Sequence, residues 1–296
     1  MLGVRSFGRL RVLIGPKNGR YPYGNSILVD DNVTALVDPS LALVEAGDGI
    51  RPGRVDVLLN SHYHEDHFAG NFLFPDARLH VHRRDAPAMR SLDTLFDFYG
   101  MGERATAVYR PVVQEKYHYE PRADLAELED GDVMDFGRTR MRVVHTPGHT
   151  GGHCCFHFEN EGVLFLGDWD LTRFGPVYGD ATSDLEESIA SLELIRSLRA
   201  RTLVSFHEAG ICEADQDTLV RRYLDVIYER EKILVDFLSE PRTLEDVVKK
   251  RVVYRKDYDI VWIDAVERNS MLLHLEKLMR EGVVSFDGER YRRWAA

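Results

Sequence analysis

Apolar residues in the first two-thirds of the chain come in short runs broken by turn residues, which predicts strands more than long helices. Leu10, Val12 and Ile14 alternate with other positions as in a first strand. "NSILVDD" and "TALVDPS" predict a strand pair joined at Asp31-Asn32. "VDVLLNSH", "ARLHVH", "MRVVHTPGHT", "HCCFHF", "GVLFLGDWD" and "RTLVSFH" predict further strands, several ending on histidine or aspartate. Helical periodicity replaces alternation in "DLEESIASLELIRSLRA" (184–200), apolar at 185, 189, 192, 195 and 198, with Ser183 as the expected N-cap. Strands alternating with helices predict a layered α/β core.

Two stretches depart from this rhythm. Residues 84–122 form an insert rich in aromatics, among them Phe96, Phe98, Tyr99, Tyr109, Tyr117 and Tyr119. After a helix expected over 214–238, Pro241 breaks the pattern and Thr243 can cap a new helix. The division is therefore residues 1–238 and residues 239–296, the second piece reading helix, helix, then a hairpin turning at Asp287-Gly288. That is the order of a winged-helix module. Over residues 241–296, 12 basic and 10 acidic residues leave a net of +2, against −13 for the remainder.

Composition narrows the function classes. A formal charge of −11 over 296 residues disfavours a general nucleic-acid or membrane-surface binder. No apolar run approaches the ~18 residues of a membrane span. Three cysteines, two of them adjacent, suit a reducing compartment, and a cytoplasmic location is expected.

The chemistry concentrates in "NSHYHEDHFAGN" (60–71). His-x-His puts His62 and His64 on one side of an extended chain, able to grip one ion. Asp66 and His67 follow on the turn and can serve a second. Imidazole with carboxylate suits zinc, and also iron or manganese. Further donors arrive at the ends of apolar runs: His149 in "HTPGHTGG", Asp168 in "LFLGD" and His207 in "LVSFHEAG".

In these motifs, over roughly residues 10–235, the chain resembles the metallo-β-lactamase superfamily. The resemblance implies a four-layered αββα sandwich with a small winged-helix-like C-terminal domain and two metals where the sheets meet. It implies that His62, His64 and His149 hold one metal, that Asp66, His67 and His207 hold the other, and that Asp168 bridges them. A metal-bridging hydroxide would attack a thioester or related small acyl substrate, with Asp66 orienting it and acting as general acid. One departure is Phe206-His207-Glu208, where many relatives have Gly-His-Gly. The intact His-x-His disfavours a diiron flavoprotein-type oxidoreductase.

The same resemblance leaves lactonase, single-strand RNA endonuclease and mononuclear-iron persulfide dioxygenase as alternatives. The aromatic insert is expected to act as a lid, with Phe98 and Tyr99 as substrate contacts, and Trp169, Arg173 and Tyr178 follow Asp168 closely enough to join them. Ser61 reads as a turn residue and Cys154 and Cys155 as core. His80, His82, His145, His153 and His157 read as strand residues, one of which could orient a ligand. His118 is a possible substrate contact, and His274 is expected to be exposed. For the C-terminal piece, packing or formation of a homodimer is preferred over nucleic-acid binding.

Overall fold

A computed structural model describes residues 2–47, 53–256 and 258–294. The first sheet holds β1 (Gly3–Phe7), β2 (Leu10–Ile14), β3 (Ser26–Val29), β4 (Ala35–Val37), β5 (Val57–Leu59), β6 (Arg78–His82) and β7 (Ala126–Leu128), side by side in chain order. Pairing is antiparallel as far as β4 and parallel from β4 to β7. The second sheet holds β8 (Val133–Asp135), β9 (Arg140–His145), β10 (Cys154–Phe158), β11 (Val163–Phe165), β12 (Thr202–Val204) and β13 (Ile211–Cys212) in the order β13-β12-β11-β10-β9-β8. Only β11 and β12 run parallel there.

Period-two alternation explains the layers. Ile27 and Val29 of β3, Val37 of β4, Phe156 and Phe158 of β10 and Phe165 of β11 meet in one core between the sheets. The intervening Leu28, Leu36 and Leu58 face a second core beneath the insert helices. Cys155, Leu164 and Leu203 face a third, under helices Leu185–Ser197 and Gln216–Phe237. Strands buried on both faces read as continuous apolar runs, which is how they looked in the sequence. The result is the four-layered αββα sandwich.

The insert is helical, with Ala86–Arg90, Leu92–Tyr99 and Gly102–Glu115, and most of its rings are core: Phe96, Tyr99, Tyr109, Tyr117 and Tyr119 are buried. Helices Leu244–Lys250 and Ile263–Arg280 and the hairpin of β14 (Val284–Phe286) and β15 (Tyr291–Arg293) follow, sharing a fourth core with the end of the Gln216–Phe237 helix. No helix among the described residues is long and apolar enough to cross a membrane.

Three local expectations need correction. The helix at 185 is capped by Asp184, which accepts from Glu187 N at 2.8 Å, while Ser183 Oγ donates to the His149 carbonyl. The hairpin turns through the four residues 287–290, with the Asp287 carboxylate accepting from the backbone of Glu289 and Arg290. His274 is buried, not exposed, because its helix face packs on the loop that carries Tyr178, whose Oη it meets at 2.9 Å.

That loop, residues 170–182, has no regular structure and is held from outside. Arg230, buried on the Gln216–Phe237 helix, donates to the carbonyls of Phe174 and Pro176 and to Tyr178 Oη. Asn269 and Ser270 of the Ile263–Arg280 helix donate to the carbonyls of Gly179 and Tyr178. Arg230→Met keeps the bulk and strands three buried acceptors, so it should lower unfolding free energy by about 2–4 kcal/mol. Urea denaturation followed by far-UV circular dichroism measures this, and an unchanged midpoint would mean that the loop is held otherwise.

Candidate metal centre

Four segments converge at one edge of the sandwich, each at the end of a strand. β5 runs into His62 and His64, and a short helix, Glu65–Phe68, swings Asp66 and His67 inward. Asp168 follows β11 by way of Gly167, whose φ of 54° turns the chain; a Cβ there would lie 2.5 Å from His153 Nε2. His149 sits in the loop after β9, and His207 follows β12.

The donor atoms fall into two sets. One is His62, His64, His149 and Asp168, and the other is Asp66, His67 and His207; within each set the atoms lie within 4.8 Å of one another. Asp168 touches both. Its Oδ2 lies 3.3 Å from His149 Nε2 and 3.8 Å from His62 Nε2. Its Oδ1 lies 2.9 Å from His67 Nε2 and 3.7 Å from His207 Nε2. Asp66 Oδ2 lies 3.1 Å from His207 Nε2.

Each imidazole is held by the nitrogen it turns away from the centre. His67 Nδ1 donates to Asp38 Oδ2 at 2.8 Å, His149 Nδ1 to the Val177 carbonyl at 2.8 Å, and His207 Nδ1 to the Gly19 carbonyl at 2.8 Å. His64 is reversed: Nε2 bonds to Asp180 Oδ2 at 2.7 Å, leaving Nδ1 facing His149. His62 Nδ1 meets Ser61 Oγ, which itself donates to Asp38. This is the outer support that metal-binding histidines receive.

Charge at the centre is unbalanced in the same sense. Burial disfavours a charged His67, yet Asp168, Asp38 and Asp66 raise it to about 10. Burial is likewise overridden at His64, which Asp180 raises to about 9. Asp168 is held well below the usual carboxylate range by His67 and His207 against its own desolvation. The carboxylates thus draw positive charge inward. His62 Nε2, His67 Nε2, Asp66 Oδ2 and Asp168 Oδ1 are all buried without a hydrogen bond, although they face one another. Buried polar atoms are seldom left so unless another partner takes them. The donor set fits two divalent cations.

A model of the metallo-β-lactamase superfamily matches residues 20–207. The chain belongs to that superfamily. A metallo-β-lactamase family protein from Thermus thermophilus has a TM-score of 0.74 with 25% identity, over 97% of this chain and 99% of that one. A β-lactamase domain protein from Burkholderia ambifaria shares the fold at TM-score 0.72, with 18% identity over 98% of this chain and 93% of the other. Among curated relatives, a hydroxyacylglutathione hydrolase of Methylococcus capsulatus is 32% identical over 58% of this chain and 55% of its own length. An atrochrysone carboxyl ACP thioesterase of Aspergillus fumigatus is 29% identical over 65% of this chain and 51% of its own. The chain thus spans about half the length of the curated relatives it matches.

All seven residues implied as ligands by the metallo-β-lactamase resemblance come together. The substrate candidates fare differently. Tyr99 lines a cavity of about 450 Å³ that opens onto the donor set, together with Tyr21, Tyr109 and Trp262. Trp169 is buried in the core beneath, its ring 5.3 Å from that of His153. Tyr178 is buried between Arg230 and His274. Phe98 packs against Tyr63, and Arg173 is exposed; neither belongs to the cavity lining. His118 rests on Phe72.

Sequence reading missed Asp38 and Asp180. Asp38 ends the apolar run "TALVD" as the other donors end theirs, a usable signal; Asp180 lies in irregular loop and has none. Ser61 is more than a turn residue, since its backbone N and hydroxyl both donate to Asp38. His153 is buried and held neutral, and its Nε2 accepts from Asp168 N at 3.1 Å, so it holds the backbone that carries the Asp168 side chain. Cys154 and Cys155 are core.

Purified protein loaded with zinc should hold close to two ions per chain by elemental analysis. Asp168→Ala should lower occupancy of both positions, and His207→Ala should mainly remove one equivalent. Asp180→Asn should weaken metal affinity about 10- to 100-fold in chelator competition while the far-UV spectrum stays native. Wild-type affinity in that variant would show that His64 needs no such support.

Proposed function

We propose that this metallo-β-lactamase superfamily member is a dinuclear metal-dependent hydrolase of thioesters or related small acyl substrates. The observation that carries the reading is the divided carboxylate of Asp168, one oxygen toward each histidine set, at the floor of the 450 Å³ cavity. Residues His62, His64 and His149 would hold one ion and Asp66, His67 and His207 the other, with Asp168 shared. When bound, two divalent ions, zinc first among candidates, polarise the scissile carbonyl and acidify the attacking water.

The protein's own contribution is placement. Asp66 is buried beside both His67 and His207 and lines the cavity, placed to take the proton of the attacking water and return it to the leaving group. Its neighbour Glu65 is kept from competing for cations: Tyr99 and Tyr109 donate to its two oxygens at 2.5 and 2.6 Å, and Tyr21 adds a third bond. The hydroxyacylglutathione hydrolase and the ACP thioesterase among the relatives both point toward thioesters.

The nuclease alternative finds less support. Among the described residues, six acidic side chains line the cavity, and outside the histidines of the donor set the one cation there is Arg20, paired with Glu208 at 3.3 Å. In the basic triplet of the C-terminal piece, Arg251 is bonded to Asp264. A surface that binds a phosphodiester chain needs unpaired cations in a row.

With metal loaded, a small neutral thioester should be hydrolysed faster than a lactone or bis-p-nitrophenyl phosphate. Its kcat/KM should change less than about twofold between 50 and 300 mM salt. Lys249→Glu with Lys250→Glu should leave that turnover nearly unchanged. Tight, salt-sensitive binding of single-stranded RNA that the double variant removes would reverse the assignment.

A further inference from the structure

Beyond the donor set, the cavity is walled by one continuous run of aromatic rings, and most of it comes from the segment that leads into the Ile263–Arg280 helix. The Tyr21 ring lies 6.2 Å from His207 and 6.5 Å from Trp262. Tyr254 lies 6.4 Å from Trp262 and 5.9 Å from Tyr258, and Phe174 closes the run at 5.5 Å from Tyr254. All five line the cavity. Tyr21, Phe174 and Tyr258 are between 36% and 43% exposed, unusually high for large rings gathered around one opening.

This wall is built firmly. Glu267, fully buried on the helix, accepts hydrogen bonds from the backbone N of Val252, Val253 and Tyr254 at 2.7, 3.1 and 3.1 Å. A carboxylate taking three amides fixes the turn that presents Tyr254. The helix is in turn seated on the loop at 178–180, where a Cβ on Gly179 would stand 2.2 Å from Val266.

The electrostatics exclude one class of occupant. Among the described residues of the lining outside the donor set, the only cation is Arg20, and it is engaged with Glu208. Lys256 rests on the Tyr258 ring at 4.7 Å but is exposed and outside the lining. Glu65, Asp180 and Glu208 are acidic side chains of the lining beyond the two that belong to the donor set, and burial raises the fourth, Asp170, to about 8. A substrate carrying phosphates or carboxylates along this wall would meet acids and apolar rings, with no partner for its charge.

We propose that Tyr254, Tyr258 and Trp262 form the acyl subsite of the enzyme and that it selects an uncharged, flat aromatic acyl group. The inference rests on the thioesterase reading for its reaction and on the ring wall for its specificity, and the two are tested separately. Offset and edge-to-face packing on several rings at 5.5–6.5 Å spacing favours a rigid ring system over a short aliphatic acyl group.

The test uses metal-loaded full-length protein with Trp262→Ala and Tyr258→Ala. The second variant truncates an exposed ring and leaves the fold intact even where the first disturbs packing. Acetyl and 2-naphthoyl thioesters of N-acetylcysteamine, which has a neutral leaving group, are compared, and binding of the unreactive 2-acetonaphthone is followed by calorimetry. Each variant should lower kcat/KM for the naphthoyl thioester at least tenfold, mainly through KM, with less than a threefold change for acetyl. Each should weaken 2-acetonaphthone binding about tenfold, and a ring-sulfonated acetonaphthone should bind wild type at least tenfold more weakly than the neutral ketone. Loss of ketone binding in both variants, with no thioester turned over by wild type, would uphold the subsite and remove the thioesterase reading. Absence of ketone binding to wild type, equal losses for both thioesters, or indifference of ketone binding to both variants would overturn the subsite.

Discussion

The two oxygens of Asp168 set the geometry to which everything else answers. A single carboxylate can serve two half-sites only if its plane is fixed, and the backbone is held on both sides of it. His153 accepts from Asp168 N at 3.1 Å, and Tyr223 Oη donates to the Asp168 carbonyl at 3.3 Å. The neighbouring strands then decide what can surround it. Parallel pairing of β4 with β5 and of β11 with β12 brings the carboxyl ends of those strands to one edge. Asp38, His62, Asp168 and His207 lie just beyond those ends. Chemistry collects there because loops leave the sheets there.

Gathering seven donors in a buried place carries a large desolvation cost, and the fold meets it group by group. Every imidazole has an outward partner: Asp38 for His67, Asp180 for His64, and backbone carbonyls for His149 and His207. Asp38 does most, since it also takes the backbone N and the hydroxyl of Ser61, whose oxygen meets His62. Phe206 stacks on His67 at 3.6 Å, and a Cβ on Gly24 would overlap the Phe206 ring at 1.9 Å. Packing and polar satisfaction therefore act on the same rings. A partly satisfied network of this kind would be worse than none, which accounts for supports drawn from so many segments.

How much of this could be read in the chain follows from the range of each interaction. His-x-His, Gly-Asp after an apolar run and Pro-Gly before His149 are local signals, and the layers follow from period-two alternation. What sequence reading missed depends on long-range meetings. His64 and Asp180 stand 116 positions apart, Arg230 and Tyr178 stand 52 apart, and Tyr178 and His274 stand 96 apart. Proximity in sequence also misled: Trp169 follows Asp168 directly, yet it is buried beside Leu166 in the core of the second sheet. The loop rings that face the cavity came from Phe174 instead, and from a C-terminal segment that the spacing could not bring near.

That segment's reach alters how the C-terminal piece should be understood. Arg230, Asn269 and Ser270 hold the carbonyls of residues 174–179, and the next residue, Asp180, holds His64. The Ile263–Arg280 helix, which carries Asn269 and Ser270, also carries Glu267, which fixes Tyr254 in the cavity wall. Packing and the shape of the cavity wall are thus two faces of one arrangement. A helix docked for stability against an irregular loop also sets the loop's conformation, and through Asp180 the orientation of a donor at the centre. The aromatic wall and the donor set are consequently placed relative to each other by a few bonds, from the Asp180–His64 pair to those made by residues from Arg230 onward. The rings of Tyr254, Tyr258 and Trp262 can therefore change while the seven donors stay as they are, because the loop between them is pinned independently of which rings face the cavity.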